Sequence, residues 1–230
     1  MKKIAVLTGA GVSAESGIST FRDSDGLWEN YPVADVASIE GWERNPDLII
    51  DFYNMLRTKL GASEPNAAHK LLAQLEKFYD VTVITQNIDD LHERGGSSKI
   101  IHLHGELTKV CSENGKRYVE DIGYEPMKHG AKTPDGAMMR PFIVWFGEAV
   151  PLLEDAIDVV QKADILIIIG TSLVVYPAAS LLYYAPSNVP IYVIDPKDVQ
   201  PISRKVNFIK EKATVGMKQL YKELTNEDPA

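Results

Sequence analysis

The chain has 230 residues, of which 45% are hydrophobic and 24% are charged, as in ordinary globular proteins. At roughly 150 residues per domain, this length predicts one large domain with an appendage rather than two independent domains. The formal net charge is −8 at pH 7, so a nucleic-acid or anionic-membrane partner would need a local basic patch, and none is apparent. We therefore expect a soluble protein that binds neither nucleic acid nor membrane.

The cysteine content restricts the possible disulfide and metal chemistry. Cys111 is the single cysteine, which excludes an internal disulfide and a multi-cysteine metal cage. The apolar stretch near the N-terminus runs into a glycine-rich turn after five residues, too few for the apolar region of about 7 to 15 residues in a signal peptide. We expect a reducing, cytoplasmic location.

Five aliphatic runs predict buried strands. They comprise residues 4–8, 81–85, 100–103, 165–169 and 191–194, and their lack of polar alternation is typical of parallel strands covered on both faces. Residues 67–78 and 152–160 lie between them and have a helical pattern of apolar residues. Strands that alternate with helices predict an α/β fold, a doubly wound Rossmann-like parallel sheet that binds ligands at the carboxyl ends of its strands.

Two segments interrupt this alternation. Residues 24–65 contain no aliphatic strand, and residues 111–140 are polar and have no clear period. We expect these insertions to fold together beside the sheet. The predicted division assigns residues 1–23, 66–105 and 141–230 to the Rossmann-like domain, and residues 24–65 and 106–140 to a small second domain.

The first predicted strand ends in a glycine-rich turn. Residues 9–14 (GAGVSA) follow the strand and are predicted to open a helix, the context required by the dinucleotide-binding pattern G-x-G-x-x-G/A. Glycines allow a tight turn and the close approach of a pyrophosphate to the positive end of the helix. The alternative is a turn without a ligand. Asp195 ends another predicted strand, where it could accept hydrogen bonds from a ribose diol, as for NAD, or close a turn.

Polar residues also follow the other predicted strands. Residues 85–89 (TQNID) bring amide and carboxylate groups to a strand end, although a turn would use them too. In residues 100–105 (IIHLHG), alternation places His102 and His104 on one face, so His104 is a candidate for catalysis or for a structural role. A metal site formed by the two histidines is less favoured, because no third ligand of suitable spacing is nearby. Residues 144–148 (VWFGE) suit a core plug or a substrate groove, and residues 170–177 (GTSLVVYP) suit a phosphate or ribose site.

Taken in order, these motifs resemble a known family. Residues 9–22 (GAGVSAESGISTFR), 85–92 (TQNIDDLH), 102–107 (HLHGEL), 145–148 (WFGE) and 170–177 are similar to the signature set of the sirtuins, NAD-dependent protein lysine deacylases. The motifs span most of the chain, and its brevity resembles a bacterial member. The resemblance implies a Rossmann-like NAD-binding domain, with NAD consumed as a co-substrate.

The resemblance also implies a reaction and its catalytic residues. The acyl-lysine carbonyl oxygen attacks the ribose carbon that bears nicotinamide, nicotinamide leaves, and a general base activates a ribose hydroxyl. The products are the free lysine, nicotinamide and O-acyl-ADP-ribose, with acetyl as the expected acyl group. His104 matches the family's catalytic histidine, and Asn87 is the second implied catalytic residue.

Motif matching assigns binding residues as well. The implied cofactor-binding residues are Gly9, Ala10, Gly11, Ala14, Glu15, Phe21, Arg22, Gln86, Asn87, Ile88, Asp89, Gly170, Thr171, Ser172, Asp195 and Ala213. An acylated peptide is expected to bind in extended form as an added strand. The implied substrate-binding residues are Tyr53, Leu56, Arg57, Val144, Trp145, Phe146, Gly147, Glu148, Val174 and Tyr176.

Three positions depart from the family pattern. Only Cys111 stands where four zinc cysteines are expected, so no structural zinc is predicted. Asp195 replaces the usual strand-end asparagine. Desuccinylase-like members carry an arginine three residues after the tyrosine, but Leu56 occupies that position after Tyr53, and Arg57 follows it. Without zinc, residues 111–140 are expected either to remain mobile or to be ordered by packing of the apolar residues Tyr118, Val119, Ile122, Tyr124, Met138 and Met139.

Other functions stay open on the sequence alone. A dehydrogenase would use the same glycine motif but release no nicotinamide, and a protein ADP-ribosyltransferase would leave ADP-ribose on a protein. A desuccinylase-type deacylase is a further alternative, whereas a non-catalytic NAD sensor is disfavoured by the presence of both His104 and Asn87. We expect a monomer that acts on acylated lysines in extended segments of proteins.

Overall fold

Two sheets organise the computed structural model, which describes residues 1–18, 31–199 and 202–229. The strands in these residues are β1 (Lys3–Thr8), β2 (Asp80–Thr85), β3 (Ile100–His102), β4 (Gly105–Ser112), β5 (Val119–Asp121), β6 (Met139–Ile143), β7 (Ile165–Ile169), β8 (Ile191–Ile194) and β9 (Asn207–Ile209). A parallel sheet has the order β3-β2-β1-β7-β8-β9, and a smaller antiparallel sheet has the order β5-β4-β6. The prediction of a doubly wound α/β fold is confirmed.

Helices connect and cover these strands. Over the described residues they are α1 (Val33–Val36), α2 (Ile39–Arg44), α3 (Pro46–Gly61), α4 (Ala67–Leu75), α5 (Leu91–Arg94), α6 (Leu153–Gln161) and α7 (Ala213–Thr225), with 3₁₀ turns at Ala10–Val12, Ala14–Ser16 and Ala178–Tyr184. Helix α3 begins as its sequence predicts, because the Asn45 side chain accepts a hydrogen bond from the Leu48 N–H and Pro46 occupies the first turn. No helix in the described part of the chain is long and apolar enough to cross a membrane.

The central strands are aliphatic because both faces of the parallel sheet are buried. Ile4 and Val6 of β1 face one core, to which α4 and α7 contribute. Ala5 and Leu7 face a second core, which includes α6 and the Ala178–Tyr184 turn. This is the layered arrangement expected of a parallel sheet with a helical layer on each side.

A third core lies under the antiparallel sheet, and we call it the small-sheet core. It contains Trp42, Phe52, Tyr53, Leu107 and Trp145, among other residues from α1 to α3, β4 and β6. The two insertions recognised in the sequence therefore supply most of its apolar residues. Nothing tests the assigned domain boundaries themselves, which stay a prediction.

Several local predictions differ from the structure. The helix expected over residues 67–78 ends at Leu75, the helix expected over 152–160 runs from Leu153 to Gln161, and the strand expected over 100–103 ends at His102. The helix predicted after the glycine motif is, up to residue 18, a pair of 3₁₀ turns. Strand β9 and the small sheet lack a clear sequence signal because they are short or largely polar.

Residues 111–140 are ordered differently from the prediction. Ile122, Met138 and Met139 pack against the small-sheet core, but Val119 and Tyr124 are exposed, so the prediction was wrong for them. The buried anchor is instead Met127, whose backbone N–H and carbonyl both bond to the Asn54 side chain at 2.8 Å. An amide side chain on α3 thus replaces part of the predicted apolar packing.

Candidate active site

The candidate site lies where the direction of the strand order reverses. From β1 the chain builds outward through β2 to β3, then returns to β7 on the other side of β1. A crevice at the carboxyl ends of the strands is expected at this point, and it is the usual ligand site of such sheets. The loops after β1, β2 and β7 all end here, and most of the predicted site residues lie on them.

The glycine turn after β1 packs directly on the backbone that follows β7. The N–H of Gly9 donates to the Ile169 carbonyl at 3.1 Å, and the N–H of Gly11 donates to the Gly170 carbonyl at 2.9 Å. A Cβ on Gly11 would lie 2.6 Å from the Gly170 Cα, and Gly170 has a φ of +60°. These glycines are therefore required for backbone packing, a reason that the pyrophosphate argument does not contain.

The predicted helix dipole at this turn needs correction. Ala10 and Ala14 begin 3₁₀ turns of three residues each, so the described residues provide no α-helix end for a pyrophosphate. The first N–H groups of a helical turn have no partner within that turn. The backbone donors that can serve an anion here are thus those at the starts of the two turns, Ala10, Ala14 and Glu15, without the dipole of a long helix.

A polar loop after β2 joins the three sides of the crevice. The Gln86 amide donates to the Thr171 hydroxyl at 3.1 Å, which ties this loop to the end of β7. The Asn87 amide donates to the Gly9 carbonyl and to the Ser13 hydroxyl, both at 3.2 Å. Asn87 and Thr171 are both buried, and Ile88 packs against the small-sheet core. The structure brings these residues together as predicted.

Asp89 is a buried carboxyl group in the same loop. Burial raises its pKa to about 6, although hydrogen bonds from the Ser13 hydroxyl and the Leu91 N–H lower it. The Ser13 hydroxyl donates to Oδ2 at 2.9 Å. Asp89 is therefore ionised at neutral pH but accepts a proton only slightly below it.

His104 occupies the turn between β3 and β4 and faces this loop. Its Nδ1 lies 2.9 Å from the Gln86 carbonyl oxygen. Because a carbonyl oxygen only accepts hydrogen bonds, Nδ1 carries the ring proton and Nε2 keeps its lone pair. Burial lowers the pKa of His104, and the bond to Gln86 only partly opposes this effect. The ring is thus neutral at pH 7 and has a free basic nitrogen, as a general base requires.

The predicted substrate segment 144–148 lies beside the small-sheet core. The Trp145 ring stacks on Trp42 with a centroid distance of 5.4 Å, and its indole N–H donates to the Tyr53 hydroxyl at 2.9 Å. The backbone of Phe146 pairs with Ala37 and Ile39, while 49% of the Phe146 residue surface is exposed. Trp145 and Tyr53 thus form a buried wall, and Phe146 reaches solvent.

Glu148 supports this segment from within. The Arg140 guanidinium donates to both carboxylate oxygens of Glu148, at 2.8 and 2.9 Å, and lies 3.7 Å from the Trp145 ring centroid. The Trp145 backbone N–H also donates to Glu148, at 2.8 Å. Gly147 has a φ of +93°. Glu148 is thus engaged by Arg140 and Trp145, so its carboxylate supports the segment from below.

The other predicted peptide contacts lie at the rim. The Val144 N–H donates to the His104 carbonyl at 2.9 Å, which links this segment to the turn carrying the candidate base. Val174 and Tyr176 follow β7 and are exposed, with 66% of the Tyr176 surface accessible. Exposed apolar residues next to a polar crevice are suited to contact a bound chain.

Helix α3 carries Arg57 and Leu56, the two positions considered for recognition of an acidic acyl group. Arg57 is fully buried, donates from Nε to the Leu107 carbonyl at 2.8 Å and from one terminal nitrogen to the Asn54 side chain at 3.0 Å. Burial lowers its pKa to about 10, a value at which it stays cationic at neutral pH. Leu56 is half-buried against the small-sheet core. Two of the three guanidinium nitrogens are therefore engaged by the protein, and Nη2 is buried without a hydrogen-bond partner among the described residues.

The remaining cofactor candidates occupy varied environments. Asp195 accepts a hydrogen bond from the Lys197 N–H at 2.8 Å, the turn contact considered as its alternative role. Glu15 accepts from the Thr214 N–H and hydroxyl at 3.0 and 2.9 Å, at the start of α7 beside the buried Ala213. Ser172 follows Thr171 at the end of β7 and is half-buried. The predicted loop residues Phe21 and Arg22 lie outside the described residues.

The sequence reasoning missed a buried polar layer beneath the loop. Ser13 bridges Asn87 and Asp89, and its hydroxyl lies 3.4 Å from Nε2 of His69. His69 in turn accepts a hydrogen bond from the Asn66 N–H at 3.2 Å and completes a capping box. The spacing of Asn66 and His69 at a helix start was the available signal. Arg140 had none.

Metal ligands do not cluster in the part of the chain that the structure describes. No group of three or more His, Cys, Asp or Glu residues there could hold a metal ion. Cys111 is buried, and its thiol lies 3.8 Å from the Pro141 carbonyl oxygen.

Comparison with known proteins decides the family. Residues 9–177 match the family model described as the Sir2 family. This chain belongs to the Sir2 family. The sirtuin resemblance of the five motifs is thereby confirmed.

Sir2 relatives match over nearly the whole chain. A protein from Bacteroides thetaiotaomicron, named NAD-dependent protein deacylase, is 56% identical over 226 residues, which cover 96% of this chain and 97% of that protein. A Sir2 homolog solved in complex with NAD gives a TM-score of 0.89 at 37% identity, covering 98% of this chain and 90% of the other. A Sir2 structure with a deacetylated p53 peptide and 3′-O-acetyl ADP ribose gives 0.80 at 30% identity, covering 96% and 92%.

Proposed function

We propose that this chain is an NAD-dependent protein deacylase that removes acetyl groups from lysine side chains. The class of activity rests on Sir2 membership and on the 56% identical relative named for it. The observation that carries the chemistry is the Gln86 carbonyl, which fixes His104 as a neutral base beside the polar loop of the crevice. Cytoplasmic location, a monomeric state and the absence of nucleic-acid partners stay predictions.

The residues of the crevice fit NAD. Gly9 and Gly11 lie so close to Gly170 and Thr171 that no Cβ could be placed there, so the crevice wall between β1 and β7 is made of backbone. Ala10, Ala14 and Glu15 begin the 3₁₀ turns, and their N–H groups would hold the diphosphate, whereas the N–H groups of Gly9 and Gly11 are bonded to the end of β7. The remaining groups assigned to this site are Phe21, Arg22, Thr171, Ser172, Asp195 and Ala213. When bound, NAD supplies a ribose with a departing nicotinamide and the hydroxyl that receives the acyl group.

The polar loop would bind the nicotinamide end. The ionised carboxylate of Asp89 accepts hydrogen bonds from an amide, and the Asn87 side chain is oriented by Gly9 and Ser13. Gln86 and Ile88 complete this wall. The loop is hydrogen-bonded to the residues that follow β1 and β7, so its groups are oriented before a ligand binds.

His104 would act as the general base. Its free Nε2 takes the proton from a ribose hydroxyl, and its Nδ1 hydrogen bond to Gln86 strengthens as the ring becomes charged. The burial that lowers its pKa keeps the ring unprotonated and available at neutral pH.

The acyl-lysine would enter between segments 144–147 and 174–176. Val144 and Gly147 would provide one edge, beside the exposed side chain of Phe146, whose backbone is paired with Ala37 and Ile39. Val174 and Tyr176 would provide the other edge, and the peptide would add an extended strand between them. Trp145, supported by Glu148, backs the first edge and holds Tyr53 by a hydrogen bond. The acyl group would then lie near Tyr53 and Leu56.

The choice of acetyl follows from the Arg57 contacts. Its guanidinium bonds to the Leu107 carbonyl and to Asn54, and Leu56 offers only apolar surface where a carboxylate reader would stand. A succinyl carboxylate beside Leu56 would lose its hydration without a cationic partner at that position, and the one unbonded nitrogen of Arg57, Nη2, is buried. Neutral acyl groups are therefore preferred.

The test of the activity measures nicotinamide release and peptide deacetylation from NAD and an acetyl-lysine peptide. His104→Ala is expected to lower turnover by about 10² to 10⁴ while NAD affinity stays within roughly tenfold. His129→Ala is the matched control, because His129 is exposed and contacts Asp51 on the small domain side. Normal turnover by a folded His104→Ala protein contradicts the assignment. Label transferred from NAD to protein would instead indicate an ADP-ribosyltransferase.

The test of acyl preference compares acetyl- and succinyl-peptides. Leu56→Arg is expected to raise succinyl turnover relative to acetyl turnover, since it places a cation at the third position after Tyr53. Thr58→Arg adds the same charge at an exposed position of α3 and is expected to change the ratio little. If the unmodified chain turns over succinyl-peptide at least tenfold faster than acetyl-peptide, and Arg57→Met removes that preference, the acetyl proposal is wrong.

A further inference from the structure

His102 lies one strand away from the polar loop and outside the proposed chemistry. It is the last residue of β3, paired in register with Thr85 at the end of β2, and only 9% of its surface is exposed. Its ring therefore sits directly behind the turn that carries Asn87. The sequence analysis placed it with His104 without giving it a role.

Both ring nitrogens of His102 face hydrogen-bond acceptors. Nε2 lies 2.6 Å from a carboxylate oxygen of Glu93 on α5, and Nδ1 lies 3.3 Å from the Asn87 carbonyl oxygen. A carbonyl never donates, and an ionised carboxylate only accepts, so each nitrogen must carry a proton to satisfy its partner. That requirement is met only by the doubly protonated, positively charged ring.

We propose that His102 is a positively charged positioning residue, which Glu93 holds in its cationic form so that it fixes the Asn87 carbonyl and favours the ionised carboxylate of Asp89. The inference rests on the proposed roles of Asn87 and Asp89. His104 and His102 then act as a pair, since they donate to the successive carbonyls of Gln86 and Asn87.

The charges that surround His102 agree with this assignment. Burial lowers its pKa, but the hydrogen bond and charge of Glu93, with the charge of Glu106 on β4, outweigh burial and raise the pKa above its usual value. His92 on α5 faces it in the neutral form, because burial holds the pKa of His92 well below its usual range. The charge of Lys109 lowers the pKa of Glu93 and so helps to keep it ionised. The charge of His102 in turn lowers the pKa of Asp89.

Loss of this positive charge would affect both functions of the ring. A neutral imidazole has one N–H and cannot serve both acceptors. The charge of His102 also lowers the pKa of Asp89, which burial otherwise raises. Without it, Asp89 takes up a proton at higher pH and no longer offers a carboxylate to an amide ligand.

The first experiment measures the protonation of the ring directly. Nitrogen-15 NMR of protein labelled at its histidines reports whether each ring nitrogen carries a proton. The signals are assigned with four variants, in each of which one of the other four histidines is replaced. We expect both nitrogens of His102 to be protonated at pH 7.5, whereas His104 is neutral with its proton on Nδ1. A neutral His102 ring at pH 7.5 overturns the proposal. This measurement needs no enzymatic activity, so its result is independent of the proposed function.

The second experiment separates charge from hydrogen bonding. In Glu93→Gln, the introduced amide can donate to Nε2 while a neutral ring still donates from Nδ1 to Asn87, so the hydrogen bonds persist without the charge. The acid limb of the pH profile for nicotinamide release should move upward by about half a unit to one unit, with the rate at pH 8.5 within about twofold. Glu64→Gln is the control, since Glu64 is exposed.

The outcomes of this comparison decide the proposal. A shifted limb in Glu93→Gln alone supports it. Superimposable profiles for the two variants overturn it, as does a uniform loss of rate without a shift, which is the effect expected of a purely structural role. If Glu93→Gln does not fold, the NMR result on the unmodified chain decides. If that chain releases no nicotinamide at all, the proposed function fails while the NMR result on the charge still stands.

Discussion

Substitution of Glu148 by glutamine tests the buried ion pair that supports residues 144–147. The Arg140 side chain is 4% exposed and donates hydrogen bonds to both oxygens of the Glu148 carboxylate, which is 17% exposed. Removal of one partner from a buried pair costs about 3 to 5 kcal/mol, because the other charge stays buried. Glutamine keeps one acceptor oxygen, and Trp145 still faces the guanidinium, so we expect about 2 to 3 kcal/mol here. For a chain of this length, that lowers the Tm by about 4 to 12 °C.

A double-mutant cycle gives this prediction its control. Urea and thermal unfolding compare Arg140→Met, Glu148→Gln and the double variant. The double variant should lose at least about 1 kcal/mol less free energy of unfolding than the two single variants lose together. The exposed pair of Lys162 and Asp158 is the comparison cycle, with an expected coupling of about 0.5 kcal/mol or less. Additive single effects, or a Tm change below 2 °C for Glu148→Gln, would refute the reasoning.

Three further predictions concern the buried histidine, the insertion and metal content. Burial lowers the pKa of His69 to about 4, so as the pH falls the unfolded chain binds a proton before the folded chain does. The free energy of unfolding present at pH 7 should therefore decrease from about pH 6.5 towards pH 4, by up to about 3 kcal/mol. In urea unfolding, His69→Gln should flatten this pH dependence. Asn54→Ala removes both backbone hydrogen bonds to Met127, so residues 113–138 should be cleaved faster in limited proteolysis, and equal cleavage rates would contradict the anchor. Elemental analysis should find no stoichiometric zinc, and chelation should leave the Tm unchanged within about 1 °C, because Cys111 is the single thiolate.

The main sheet could be predicted because its sequence and its burial agree. Strands β1, β2, β7 and β8 are aliphatic on both faces, and only a parallel sheet covered by other layers buries such runs completely. Strand β9 was missed because Asn207 and Phe208 are exposed at the sheet edge, which leaves no aliphatic run to recognise. The small sheet depends on the pairing of Cys111 with Arg140, a contact across 29 residues that no local pattern contains.

The site was predictable where one residue type at a strand end suffices. Gln86, Asn87, Asp89 and His104 meet in one crevice because the strands preceding them are neighbours. Contacts that depend on three-dimensional packing were not accessible. The engagement of Arg57 by the Leu107 carbonyl is one example, because a helix pattern gives the direction of a side chain but not its partner on another element.

The contact between the glycine turn and Gly170 changes how the G-x-G pattern should be used to detect function. Since Gly11 and Gly170 meet backbone to backbone, a descendant that lost all use of NAD would still be forced to keep both glycines in order to fold. Retained glycines in a degenerate paralogue therefore report an intact scaffold and not an intact enzyme. On the proposed function, His104 is the better marker, because its Nε2 has no hydrogen-bond partner among the described residues, whereas Asn87 and Asp89 also hydrogen-bond to the protein.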